Sequence, residues 1–265
     1  SVGSIVSVST TGGGRIEAGN IRIDEGILFS TDGFIGVSST NNGSVSSLGD
    51  VLITGKKSRW NTGTLSIDNG RTLTVQDNAL VNVSTALTLE NSSRLLLLGT
   101  GKITTGSLGV SSGSEVFSNG GLIGDISTNP GFNTVGSILS SGSSIVSGGA
   151  WNISNNLTVT DGLSLKVSNQ GLVNVGTELL IDGAGKVDTT GGGRVEAGSL
   201  IIRGNGQLNN TSGFVGASST AVGSVSSQGN ATVTGNAQWN TGSLTVAGGR
   251  TLEVDGGGLS MLPAI

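Results

Sequence analysis

The sequence contains no cysteine, no histidine and no tyrosine. Without Cys there are no disulfides and no thiol nucleophile. Without His the usual general base and the familiar zinc sites are excluded. Proline is reduced to 2 residues and charged residues to 11% of the chain, well under the roughly 25% of ordinary soluble proteins. The 13 basic residues are spread thinly, with no stripe or run, which argues against a nucleic-acid partner. Apolar runs are also missing. Leu95-Leu96-Leu97-Leu98 falls far short of the roughly 20 residues of a membrane-spanning helix.

What is present is 48 glycines, abundant Ser, Thr and Asn, and a hydrophobic fraction of 34%. The glycines follow no three-residue period, which excludes collagen. The Val, Ile and Leu residues recur at regular places, which separates the chain from a disordered one. The net charge is −4.

The dominant feature is repetition. TTGGGRIEAG at Thr10–Gly19 returns as TTGGGRVEAG at Thr189–Gly198, and WNTGTLSI at Trp60 returns as WNTGSLTV at Trp239. Arg15 and Arg194 are 179 residues apart, as are Trp60 and Trp239. A more diverged copy lies between them. Trp151 opens WNISNNLTV, Lys102 stands where the outer copies have Arg, and FSNGGLIG at Phe117 echoes FSTDGFIG at Phe29. The chain therefore reads as three units of about 88 residues, approximately 1–87, 88–179 and 180–265.

A finer rhythm runs inside each unit. Leu65-Ser66-Ile67, Leu73-Thr74-Val75, Val81-Asn82-Val83 and Leu87-Thr88-Leu89 each place two apolar residues around a small polar one. That is the period of a half-buried strand. Gly, Asn, Asp and Ser separate these stretches, as turns require. A short strand cannot bury its one apolar face alone, so the expected solution is a coil in which each strand pairs with its equivalents one turn away. The expected fold is an all-β solenoid, a parallel β-helix of the right-handed kind. It would have roughly three strands per turn, turns of about 20–24 residues and about twelve turns, some 55–60 Å long. A β-sandwich or barrel is the competing fold.

These residues carry a family resemblance. GSVSSLGDVLITGKKSRWNTGTLSI from Gly43, with its echo GSVSSQGNATVTGNAQWNTGSLTV from Gly223, resembles the strand-loop-strand repeat of bacterial autotransporter passenger domains. The same repeat class occurs in PEP-CTERM-associated surface proteins. The middle copy departs from the pattern, reading SGGAWNISNNLTV. The resemblance implies a secreted β-solenoid displayed on a bacterial surface, and it implies no activity.

No catalytic, cofactor or metal site is expected. The acidic groups Asp24-Glu25 and Asp182 with Asp188 read as turns rather than as a catalytic carboxylate pair or a calcium loop. Trp60, Trp151 and Trp239, one per copy, are expected as structural anchors in the core, with a sugar-stacking platform as the alternative. Asn61, Asn152 and Asn240 follow them and are expected to serve turns or side-chain hydrogen bonds. Alternation places Arg15 with Glu17, and Arg194 with Glu196, on the face opposite the aliphatic residue between them. Together with Lys102 they form either a solvated face with weak ion pairs or a candidate lateral contact. Pairs such as Thr72/Thr74, Thr158/Thr160 and Thr232/Thr234 are too far apart for one ice-binding array.

From Ser1 to Ile265 the chain is within one residue of a whole number of units, and Pro263 is the single candidate blocker at its end. Solenoid ends expose unpaired strand edges, and heterologous contacts that do not close make filaments. The expected function is a non-enzymatic, extracellular structural protein that assembles with itself head to tail into a filament or sheath. The alternative is an adhesin-like passenger segment that touches surface glycans or cells.

Overall fold

A computed structural model of the chain describes residues 7–17, 20–23, 27–36, 44–47, 49–111, 113–124, 137–140, 143–160, 163–216, 224–227, 230–235, 238–241, 243–246, 251–256 and 259–261. The expectations placed on Asp24-Glu25, on Ser1 and on Pro263 and Ile265 fall outside these residues. The chain divides into two compact units, Ser1–Val135 and Gly136–Ile265. The boundary lies within the middle sequence copy.

In the first unit Ser7 pairs with Ile27, Ile27 with Asp50, Val51 with Leu73, Leu73 with Leu95 and Leu95 with Val116. The second unit behaves alike. There Ser144 pairs with Leu165, Leu165 with Val187, Val187 with Leu208, Leu208 with Ala231 and Ala231 with Leu252. All these pairings are parallel, with steps of 20 to 23 residues. Each strand therefore stacks on the strand one turn away, and the fold is a parallel β-solenoid. A sandwich built on antiparallel neighbours is ruled out. Among the described residues there is no helix.

One face of the first unit, the A face, is a sheet of Ser7–Thr11, Ile27–Thr31, Asp50–Thr54, Thr72–Val75, Arg94–Leu98 and Glu115–Asn119. In the second unit it is Ser143–Ser147, Ser164–Ser168, Lys186–Thr190, Gln207–Thr211, Asn230–Thr234 and Leu252–Asp255. Two further faces come from the two limbs of a second sheet. The strand Leu80–Leu89 shows why: its pairing breaks between Val83 and Ala86 against both neighbours. Ser84 and Thr85 are exposed there and form a corner. Leu172–Ile181 breaks in the same way between Val175 and Glu178. Each such turn thus carries three strand segments, as the short alternating stretches predict.

The corners explain one class of glycine. A Cβ on Gly106 would lie 2.5 Å from the Thr85 carbonyl oxygen, and one on Gly198 would lie 2.6 Å from that of Gly176. A side chain at either place would push the adjacent turn away. The tips of other turns take the left-handed conformation at Asn69, Asp77, Asn91 and Asn169, residue types that tolerate it through local hydrogen bonds. Turn tips are also tied to one another. The Asn91 Nδ2 donates to Asp68 Oδ1 at 2.7 Å.

The inside of each unit is built from columns of stacked aliphatic side chains. On the A face of the first unit Leu28, Val51, Leu73, Leu95 and Val116 are buried in successive turns; in the second, Leu165, Val187, Leu208 and Ala231 are. Burial of each such side chain contributes about 1.5–3 kcal/mol, and every turn depends on its neighbours for that burial. Some polar residues that face inward find partners, while the buried Ser93 and Ser144 hydroxyls have none. Thr10 Oγ1 donates to Ser30 Oγ at 2.8 Å in the first unit, and Thr189 Oγ1 donates to Asn210 Oδ1 at 2.6 Å in the second.

Candidate functional site

Two of the three tryptophans lie inside. Trp60 and Trp151 are both 0% exposed. Trp60 stacks between Ile35 and Val81 in the first unit, and Trp151 pairs with Val173 in the second. Neither indole Nε1 has a hydrogen-bond partner. An unpaired buried donor costs about 1–3 kcal/mol, so each Trp is held by its large apolar area against that cost. Neither ring is open to a sugar. Trp239 is placed by its backbone register, between Val215 and Ser260.

The asparagines that follow stand within strands, not in turns. Asn61 is in Arg59–Ile67, half-buried and in register with Asn82. Asn82 Oδ1 in turn accepts from Thr104 Oγ1 at 2.8 Å. Asn152 is 7% exposed, and its Nδ2 has no partner. Asn240 is in register with Gly216 and Met261.

The charged residues form lines rather than clusters. In the first unit Arg15, Phe34, Arg59, Leu80, Lys102 and Leu122 occupy one register line through successive turns. Arg15 and Arg59 are exposed, and Lys102 is half-buried. Arg59 carries no repeat signal, since the positions before Trp151 and Trp239 hold Ala150 and Gln238. Glu17 lies two residues along from Arg15, in register with Gly36.

In the second unit the corresponding line passes through Leu172, Arg194 and Phe214. Arg194 is held on both sides. Its Nη2 meets Glu196 Oε1 at 2.6 Å, and its guanidinium carbon lies 4.4 Å from the centre of the Phe214 ring. The Arg194 side chain is 48% exposed, so this pair is worth about 1 kcal/mol or less. It is a clamp on the surface, not a reactive group. Asp182 Oδ1 accepts from the Gly183 backbone N–H at 2.7 Å, as a turn residue does. Among the described residues no three or more His, Cys, Asp or Glu side chains come together as a metal site.

Sequence reading missed a feature of the A face. Its middle register line in the first unit runs Ser9, Phe29, Leu52, Thr74, Leu96 and Phe117. Leu52, Leu96 and Phe117 are half-buried, as is Leu98 beside them. The matching line of the second unit runs Ile145, Lys166, Asp188, Asn209, Thr232 and Glu253. The signal was present in the run of four leucines, where alternation sends every second side chain outward.

With this geometry in place, comparisons with known proteins add the following. No family model and no curated protein matches the chain. Among solved structures, a TibC-catalyzed hyper-glycosylated TibA fragment is similar, with 17% identity and a TM-score of 0.46. That match covers 96% of this chain and 92% of the TibA fragment.

Proposed function

We propose that this chain is a secreted, non-enzymatic β-solenoid of a bacterial surface, a passenger-like segment that works by contact rather than by chemistry. One observation carries the reading. Most of what the sequence copies share lies inside the turns or at their corners, the exposed Arg15 and Arg194 being an exception, and the A faces differ on the outside. Leu28 and Leu208 are both buried, as are Thr10 and Thr189, and Ile35 and Val215. Outward positions such as Leu52 and Thr232 differ in chemistry between the same copies. A repeat maintained for an enzyme would share outward reactive groups. This one shares mainly packing, with one charged pair outside it, and packing is what a scaffold needs.

The narrower form of the proposal is growth head to tail into an extracellular filament. Its support is the turn-on-turn pairing itself, because any open solenoid end offers unpaired N–H and C=O groups to another chain. The adhesin-like form has its own support, the unshared outward chemistry of the A faces. Negative-stain electron microscopy of the purified protein at micromolar concentration separates the two. Unbranched fibres with an axial repeat near 55–60 Å are the outcome for end-to-end growth. Discrete particles at every concentration overturn it and leave the contact role, which binding of labelled protein to whole cells and glycan arrays then tests. Turnover of polysaccharide substrates would overturn the non-enzymatic reading altogether.

A further inference from the structure

We propose that the A face of the first unit is a self-recognition surface, on which a second copy of this chain docks face to face with its solenoid axis reversed. The inference rests on the order of residues along that face. Turn by turn the middle line reads Phe29, Leu52, Thr74, Leu96, Phe117. Ser9 precedes Phe29 in the same line, and the five positions after it read the same in both directions about Thr74. A twofold axis lying in the interface, along the strand direction and through Thr74, sets Leu52 of one copy against Leu96 of the other. It also sets the Phe29 position against the Phe117 position and Thr74 against its own equivalent. Such isologous, self-complementary patches are what a twofold interface requires.

Charge selects this arrangement over the parallel one. At one edge of the face the outward line includes Asp50, Thr72, Arg94 and Glu115. Asp50 and Arg94 are both exposed and lie one turn to either side of the twofold axis. Antiparallel docking therefore brings the Asp50 carboxylate of one copy to the Arg94 guanidinium of the other, twice. Docking about an axis parallel to the solenoid would instead set the Arg94 edge against the opposite edge, where Leu98 stands in the same turn. That buries a guanidinium against a leucine, which is unfavourable. Arg94 already pairs with Glu115 of its own chain, so the docked cluster has one cation between two carboxylates.

The surroundings support the choice of face. The outward residues beside Leu87 and Leu89 are Ala86 and Thr88, and beside Leu108 and Val110 they are Ser107 and Gly109. Small side chains there give an added copy little apolar area. The A face of the second unit carries Lys166, Asp188 and Glu253 in its middle line and has no palindromic order. Of the two A faces, and among the described residues, only that of the first unit combines apolar side chains, twofold order and matching charge.

The area sets the strength. The five strands that overlap, about 4.8 Å apart and about 17 Å long, make a patch of roughly 400 Å² per copy. That is about half of the roughly 800 Å² per partner in a standard interface. The contact is therefore weak and reversible for a single pair, and it gains strength where many copies face each other on adjacent surfaces.

This proposal does not rest on growth through the solenoid ends, and the test separates the two. The chain has no cysteine, so single-cysteine variants report cleanly. Thr74→Cys, oxidised at tens of micromolar, is expected to give a disulfide-linked dimer. Thr232→Cys, at a comparable half-buried place in the second unit, is the control. Leu52→Cys mixed with Leu96→Cys is expected to cross-link as a mixed dimer several times faster than either variant links to itself. Circular dichroism of each variant shows whether the solenoid has folded. Equal cross-linking of Thr74→Cys and Thr232→Cys overturns the proposal. Self-linking of Leu52→Cys as fast as mixed linking overturns the reversed axis. By sedimentation velocity, Leu96→Asp is expected to weaken association about tenfold or more, and unchanged association would also overturn the proposal.

Discussion

The first and third sequence copies have nearly the same inside and, on the A face, different outsides. At the matching positions Leu28 and Leu208 are buried, Val51 is matched by buried Ala231, and the inward hydroxyl of Thr10 is matched by that of Thr189. One residue further along the same strands, Phe29 is matched by Asn209 and Leu52 by Thr232. Thr74 is matched by Glu253. The two copies therefore answer to two constraints. Stacking fixes the inward residue within narrow limits, because each turn is covered by the next and a poor fit is felt on both sides. The outward residue is free of that constraint and varies with whatever the face meets.

The comparison is broken most severely from the inside. Trp60→Ala and Trp151→Ala are each expected to cost about 3–5 kcal/mol, read by chemical denaturation of each variant. The two losses should agree within about 1 kcal/mol. A large loss at one tryptophan and a small loss at the other would show that the two units do not share one packing scheme.

The corners come next. Gly106→Val and Gly198→Val each force a side chain against a neighbouring backbone oxygen at under 3 Å. Each is expected to destabilise by about 1–3 kcal/mol, measured by the shift in denaturation midpoint. A neutral result at either glycine would show that the corner has room the structure does not display.

The outside can be transplanted. Replacing Asn209 by Phe, Thr232 by Leu and Glu253 by Thr carries part of the first copy's outward line onto the third. Folding stability should change by about 1 kcal/mol or less, while association by sedimentation velocity should rise. Loss of folding would mean that these outward positions are not independent of the inside.

The smallest effect is expected at Arg194→Ala. Its side chain, bonded to Glu196 and in contact with Phe214, is about half exposed. Together the two contacts should be worth about 1 kcal/mol, less at high salt. A thermal melt at two salt concentrations measures it. A loss several times larger would make this clamp a structural element rather than a surface one.

Much of the fold was legible beforehand, for reasons that particular residues show. Leu73-Thr74-Val75 alternates, so one face must be covered, and the repeat of such stretches at nearly constant spacing leaves coiling as the economical cover. Asn69 and Asn91 sit at turn tips because their side chains make the left-handed conformation tolerable. The placement of Asn61 was not legible, since a polar residue after a Trp reads equally well as a turn or as the outward member of a strand. The line of Arg15, Arg59 and Lys102 was only partly legible. Register lines join residues about 22 apart, whereas repeat copies join residues about 88 apart, and Arg59 has no counterpart in the other copies.

By itself the sequence determined the class of structure: short strands, glycine-rich turns, a repeat too regular for a sandwich and no residues for thiol or imidazole chemistry. These follow from local conformational preference and from alternation, which act over a few residues. Which outward residues become neighbours was decided only by the tertiary structure. That depends on the register between turns, and a shift of one residue would exchange the inside for the outside. In that register Trp60 pairs with Ile35 and Val81, and Trp151 with Val173. The order Phe29, Leu52, Thr74, Leu96, Phe117 exists nowhere in the linear chain and appears only when five turns are stacked.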